Sequence, residues 1–209
     1  MATIGLDKLY YAEITEAPTT GEETYGTPEM LAKAIAAELS VELAEATLFA
    51  DDGPSEIVKE FKGGKLSLTV DDIGLAVAET LTGARKDTKG VLVSSGEDVS
   101  QPVAVGFRAR KSNGKFRYFW LYKVKFAVPS ASLATKGDSI AFQTPKIEGT
   151  VMRRNKPDSD GKHPWKSEVT EGEQGVDGSV ISGWYTKVYE PAYDPAKATD
   201  STAGEEDDS

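Results

Sequence analysis

Residues 103–128, VAVGFRARKSNGKFRYFWLYKVKFAV, carry the strongest hairpin signal in the chain. Two runs rich in β-branched and aromatic residues flank Asn113-Gly114, the pair that most readily takes positive φ at both central positions of a two-residue type I′ turn. Such a turn fixes the register. It sets Lys111 opposite Phe116, Ala109 opposite Tyr118, Phe107 opposite Trp120, Val105 opposite Tyr122 and Val103 opposite Val124. Side chains alternate faces along a strand, so these pairs share one face, which is nearly all apolar or aromatic. Phe107, Trp120 and Tyr122 are therefore expected in the core. The opposite face carries Arg108, Arg110, Arg117, Lys123 and Lys125, with Phe119 and Leu121 between them. A slip of one residue would bury the cations.

The hairpin is basic in an acidic chain. From Gln101 to Pro129 it holds seven Lys and Arg and no Asp or Glu, so a net charge of −10 leaves −17 for the rest. One reading is a solvated strand face whose charges guard against aggregation, the commoner situation. The other is a ribbon that meets an acidic surface, such as a second copy of the same chain or the helix around residues 73–82.

With 209 residues, 39% of them hydrophobic, the chain is long enough for one domain with appendages and a sizeable core. The absence of cysteine excludes disulfides and thiolate metal sites and fits a reducing compartment. Met1 is followed by a strand pattern rather than a signal peptide, and no apolar run approaches the ~20 residues of a membrane helix. A sequence pI near 4.7 argues against a surface built to grip nucleic acid.

Along the chain, residues 4–15 alternate as a strand through Ile4, Leu6, Tyr10, Ala12 and Ile14, and 16–28 read as a polar loop. Residues 30–43 contain good helix formers. Yet Ile35, Ala37, Leu39, Val41 and Leu43 alternate with Ala36, Glu38, Ser40 and Glu42, which predicts a strand over 34–43. A short strand at 46–50 and a hairpin pairing 56–61 with 66–70 across Gly63-Gly64 are expected next. Asp71 or Asp72 then caps a helix over about 72–82, marked by Ile73, Val77 and Leu81 and ended by Gly83. Further strands are expected at 91–94, 139–153 with an interruption near Pro145, 165–170 and 184–189, with a helical turn at 176–182. The segment 155–164 reads as a loop, and 191–209 as a disordered acidic tail behind a domain spanning 1–190. The class is mainly β, a sandwich or barrel-like fold with one flanking helix and long loops.

No catalytic signature emerges. His163 stands alone in a loop, no G-x-S-x-G or H-E-x-x-H occurs, and Gly63-Gly64-Lys65 is not a phosphate loop. Asp51-Asp52-Gly53-Pro54 does not match calcium-loop spacing. No enzyme, metal or cofactor is expected.

Several blocks together resemble the major tail protein (tail tube protein) family of long, non-contractile-tailed bacteriophages (siphophages). They are GLDKLYYAEI at 5–14, YGTPEMLAKAI at 25–35, ATLFADDGPSEIVKEFKGGKLSLTVDDI at 46–73, the hairpin, and TKGDSIAFQTPKIEGTVMRR at 135–154. The resemblance implies a structural virion protein, assembled in the bacterial cytoplasm. Six copies would close a ring, and rings would stack into a tube around the tape measure protein. Tail terminator and distal tail proteins would sit at the ends, no membrane would be involved, and genomic DNA would pass without specific binding. A lumen that repels phosphate suggests Glu38, Ser40 and Glu42 as the lumen-facing residues, with the hairpin cations turned away. The alternative is a single-strand nucleic-acid binder that stacks bases on the aromatics of 103–128.

Overall fold

The hairpin forms as β8 (Val103–Lys111) and β9 (Phe116–Phe126), but with a turn other than type I′. In the computed structural model the described residues are 2–17, 21–50, 53–130 and 144–193, with backbone alone over 47–50 and 53–56. Among them Lys8 is the one non-glycine residue with positive φ, so Asn113 does not adopt the conformation that type I′ needs. Gly114 alone does, at φ 82°. Its N–H donates to the Lys111 carbonyl at 3.0 Å, and the Lys111 N–H donates to the Lys115 carbonyl at 2.8 Å. This longer loop moves the register by one residue. Arg110 pairs with Phe116, Arg108 with Tyr118, Phe107 with Phe119, Gly106 with Trp120 and Val105 with Leu121. A bulge then sets Ala104 against both Tyr122 and Lys123 and restores the expected Val103–Val124 pair.

The sheet is buried on both faces here, and the shift decides which β8 residues accompany which β9 residues on each. Val105, Phe107 and Leu121 enter one core with Leu9, Leu66 and Leu68. Tyr118, Trp120 and Tyr122 enter a second with Ala12, Ala104 and Trp184. Phe107, Trp120 and Tyr122 are all buried, but Phe107 lies across the sheet from the other two and stacks on Phe119, 5.0 Å between centroids. The expected shared basic face is overturned for the same reason: Arg108 and Arg117 point to opposite sides.

The main sheet has nine strands, all antiparallel, in the order β2 (Glu23–Tyr25), β1 (Thr3–Glu16), β8, β9, β10 (Lys146–Met152), β5 (Gly53–Val70), β4 (Ala34–Ala50). β3 (Glu29–Ala32) adds to β1, and β11 (Lys166–Thr170) adds to β9. A two-stranded sheet, β6 (Arg85–Lys86) with β7 (Leu92–Val93), stands apart. Lys33 alone separates β3, which pairs with β1, from β4, which pairs with β5 at the other end of the order. One bent segment thus bridges both ends of a curled sheet that does not close as a barrel. Asp71 fixes the bend: its Oδ1 accepts the Lys33 N–H at 3.0 Å, and its own N–H donates to the Lys33 carbonyl at 3.1 Å.

Strand β1 feeds both cores through a bulge at Lys8, whose φ is 52°. Leu9 and Tyr11 reach the first core, Tyr10 and Ala12 the second, and Ile4 remains exposed. The strand expected at 34–43 merges with the one at 46–50 into β4. The hairpin across Gly63-Gly64 is not formed: both glycines lie inside β5, which runs antiparallel to β4 along its length with a bulge at Lys62. A Cβ at Gly64 would meet the Ser40 carbonyl at 2.8 Å.

Helix α1 (Leu75–Thr82) starts at Gly74 without a side-chain cap, since Asp71 is engaged at the bend, and ends at Gly83. Leu81, Val77 and Ile73 pack on the first core. The strand expected at 184–189 is instead a run of turns behind α2 (Gly178–Ser182), which Asp177 caps through the Ser179 N–H at 2.8 Å. Trp184 and Val188 seal the second core. The loop 16–28 proves to contain β2. Most of the expected acidic tail, 194–209, lies outside the described residues, as do 139–143 of the strand expected at 139–153.

Candidate functional site: an open polar face and its free edge

Strands β4, β5, β10 and β9 turn their apolar side chains to the first core, and the alternation that does so lifts polar ones into solvent. In β10, Ile147, Gly149 and Val151 are buried while Lys146, Glu148 and Thr150 are exposed. The registers align these outward residues in rows across the strands. Ser40 pairs with Lys65, Lys65 with Thr150, and Thr150 with Lys125. In the next row Glu38 pairs with Ser67 and Ser67 with Glu148. Lys146, beside Thr69, follows and pairs ionically with Glu148 at 3.0 Å. The rows line a groove of about 650 Å³ that Ser100 also borders.

Glu38 and Ser40 therefore sit in this groove, and Glu42 stands exposed one row beyond it, opposite Gly63. Lys125, expected on the other side, shares the face with them. Three lysines (65, 125, 146) offset three glutamates (38, 42, 148), so the face is near neutral rather than acidic.

The other hairpin cations are held by partners within the chain or lie exposed. Arg108 grips Asp7 with two hydrogen bonds, 2.6 and 2.8 Å, and its guanidinium lies 3.9 Å from the Phe116 ring centroid. Arg117 pairs with Glu168 of β11, which Lys166 also contacts at 2.8 Å. Burial pushes the Glu168 carboxyl up, but the hydrogen bonds from Lys166 and Arg117 outweigh it and leave its pKa lowered. Arg110 is exposed, and among the described residues no carboxylate pairs with it.

Lys123 is buried between Glu16, at 2.9 Å, and Glu23. Glu23 is fully buried, and its second oxygen accepts the N–H groups of Asn155, at 2.7 Å, and Lys156. Burial alone pulls the Lys123 ammonium down; its bonds to Glu23 and Glu16 prevail and raise its pKa. Beside this cluster the buried Arg154 binds Glu190 at 2.7 Å and stacks 4.8 Å from the Tyr122 ring centroid. Sequence reading missed Glu23. Its one signal was an acidic residue followed at alternate spacing by Tyr25.

The hairpin offers no stacking platform of the kind a single-strand binder uses. Tyr118, Trp120 and Tyr122 are buried, Phe119 is stacked on Phe107, and Phe116 lies under Arg108. His163 is an exposed loop residue whose Nδ1 lies 3.2 Å from the Arg154 carbonyl. Among the described residues no helix is long and apolar enough to cross a membrane.

Strand β4 ends the sheet order, so among the described residues its outer row of N–H and C=O groups beyond the bend meets no further strand and is a free edge. From Leu43 and Phe61 outward, β4 and β5 form a two-stranded arm. Phe61 anchors its base by stacking on Trp165 at 4.4 Å. Beside and beyond that anchor Val41, Leu43, Ile57 and Val58 are 42% to 57% exposed.

No family model matches the chain, and no curated protein matches it. Among solved structures, it is similar to one titled the cryo-EM structure of the anti-feeding prophage cap, a tube terminating cap. That match has 7% identity and a TM-score of 0.40, and covers 81% of this chain and 93% of that one.

Proposed function

We propose that the chain is a structural subunit of a phage-type tail tube, built by self-association and with no catalytic role. The single observation that carries this is the free β4 edge with its apolar arm. A two-stranded ribbon is marginal in water by itself, and a long, exposed, apolar edge is a template for another chain. Heterologous contacts of this kind close into rings or continue along an axis. The blocks of sequence that resemble siphophage major tail proteins give the assembly its identity: stacked rings, six subunits each, in a virion tail.

In this reading the open face of β4, β5, β10 and β9 lines the lumen, with Glu38, Ser40 and Glu42 facing inward. Lys125 lies among them, and Arg108, Arg117 and Lys123 serve the subunit's own fold. A near-neutral wall neither holds nor expels a passing polyanion strongly, as a conduit for DNA around or after a tape measure protein requires. Negative-stain electron microscopy of the purified protein tests the proposal. Rings or tubes with a central channel are expected, and a monodisperse monomer at all concentrations would overturn it.

A further inference from the structure

We propose that the row Ser40–Lys65–Thr150–Lys125 is a contact site for the phosphates of a duplex nucleic-acid backbone. The inference rests on the tube reading for its setting, and on the register for its geometry. Four adjacent strands place two ammonium groups and two hydroxyls in one line. Neighbouring strands lie about 4.8 Å apart, so Lys65 and Lys125 are rooted about 10 Å from each other with Thr150 between them. Lysines and Ser/Thr hydroxyls are the side chains that hold phosphate oxygens without reading sequence. All four residues are exposed and border or lie in the same groove, and among the described residues neither lysine has a carboxylate within ion-pair distance, unlike Lys146. Glu38 and Glu148 in the next row, and Glu42 beyond, limit the strength of the contact. The row touches a backbone and lets it go.

The test is fluorescence anisotropy of a labelled short DNA duplex titrated with the full chain at low and at physiological salt. Binding at low salt is expected, with log affinity falling against log salt at a slope of about −2 for two cations. The double variant Lys65→Gln/Lys125→Gln should weaken binding about fivefold or more and flatten that slope. Arg110→Gln/Lys111→Gln at the hairpin tip should leave it unchanged. Circular dichroism confirms that both variants fold. Loss of binding in the tip variant instead, or no duplex binding at low salt, would overturn the proposal. So would binding of inorganic phosphate alone, seen as chemical-shift changes at Lys65 and Lys125 without duplex binding. Wild-type tubes that bind no duplex would sink this inference and leave the tube reading standing. Duplex binding through these lysines by a protein that never forms tubes would do the reverse.

Discussion

The indole of Trp120 occupies the space in which a side chain at Gly106 would begin: a Cβ there would lie 2.8 Å from ring atoms Cη2 and Cζ3. The two are cross-strand partners, and the indole N–H donates to the Trp184 carbonyl at 3.0 Å. Trp120→Ala should cost about 3–5 kcal/mol in urea unfolding, because it opens a cavity in the second core. Gly106→Ala should cost about 1–3 kcal/mol by overpacking. Combined with Trp120→Phe, the glycine substitution should cost less than the sum of the single changes. Strict additivity would mean that the two positions do not touch.

Lys123 and Glu23 give a prediction with a sign. The Lys123 pKa is raised in the folded chain, so its contribution to stability is complete below the ordinary lysine value of about 10.5 and is lost as pH rises through the folded value. Thermal unfolding of the wild type should weaken across that alkaline window more than that of Lys123→Met. At neutral pH Lys123→Met should itself cost about 3–5 kcal/mol, since Glu23 is then buried without its cation. Equal alkaline slopes would rule the linkage out.

Arg117 and Glu168 form a pair within one subunit. Arg117→Glu should therefore lower the stability of the isolated subunit, and adding Glu168→Arg should recover most of it. The effect is small, up to about 1 kcal/mol, because the pair is partly exposed. A double-mutant cycle in guanidinium chloride measures it, and zero coupling would argue that Arg117 serves a neighbouring copy instead.

The arm separates folding from assembly. Val41 and Leu43 are exposed, so replacing both with lysine should change unfolding free energy by no more than about 0.5 kcal/mol each. The same double variant should abolish rings and tubes in electron micrographs. Normal tubes from Val41→Lys/Leu43→Lys would remove the arm from the assembly interface.

What the sequence made legible was the local signal. The strand alternation of 34–43, the apolar stripe of Ile73, Val77 and Leu81, and the β-rich runs around Asn113-Gly114 all correspond to elements in the fold. What it hid depended on single-residue insertions. The one extra loop residue at the hairpin tip, the bulge at Lys8 and the bulge at Tyr122–Lys123 each reverse which side chains share a face, and none leaves a compositional mark. Gly63-Gly64 reads as a turn locally. Only the closeness of the Ser40 carbonyl shows why glycine belongs inside that strand. Glu23 was invisible for another reason: its value lies in partners 100 and 132 positions away.

The bend at Lys33 has a mechanical consequence. The strand that leaves the body as an arm is continuous with the one that ties the two ends of the curled sheet. A pull directed along that arm does not peel β4 from β5 one rung at a time. It loads the whole ladder in shear, and through Lys33 and Asp71 the tension passes to the seam at β1. A cylinder of such subunits would flex by strands sliding at their contacts while each body kept its shape.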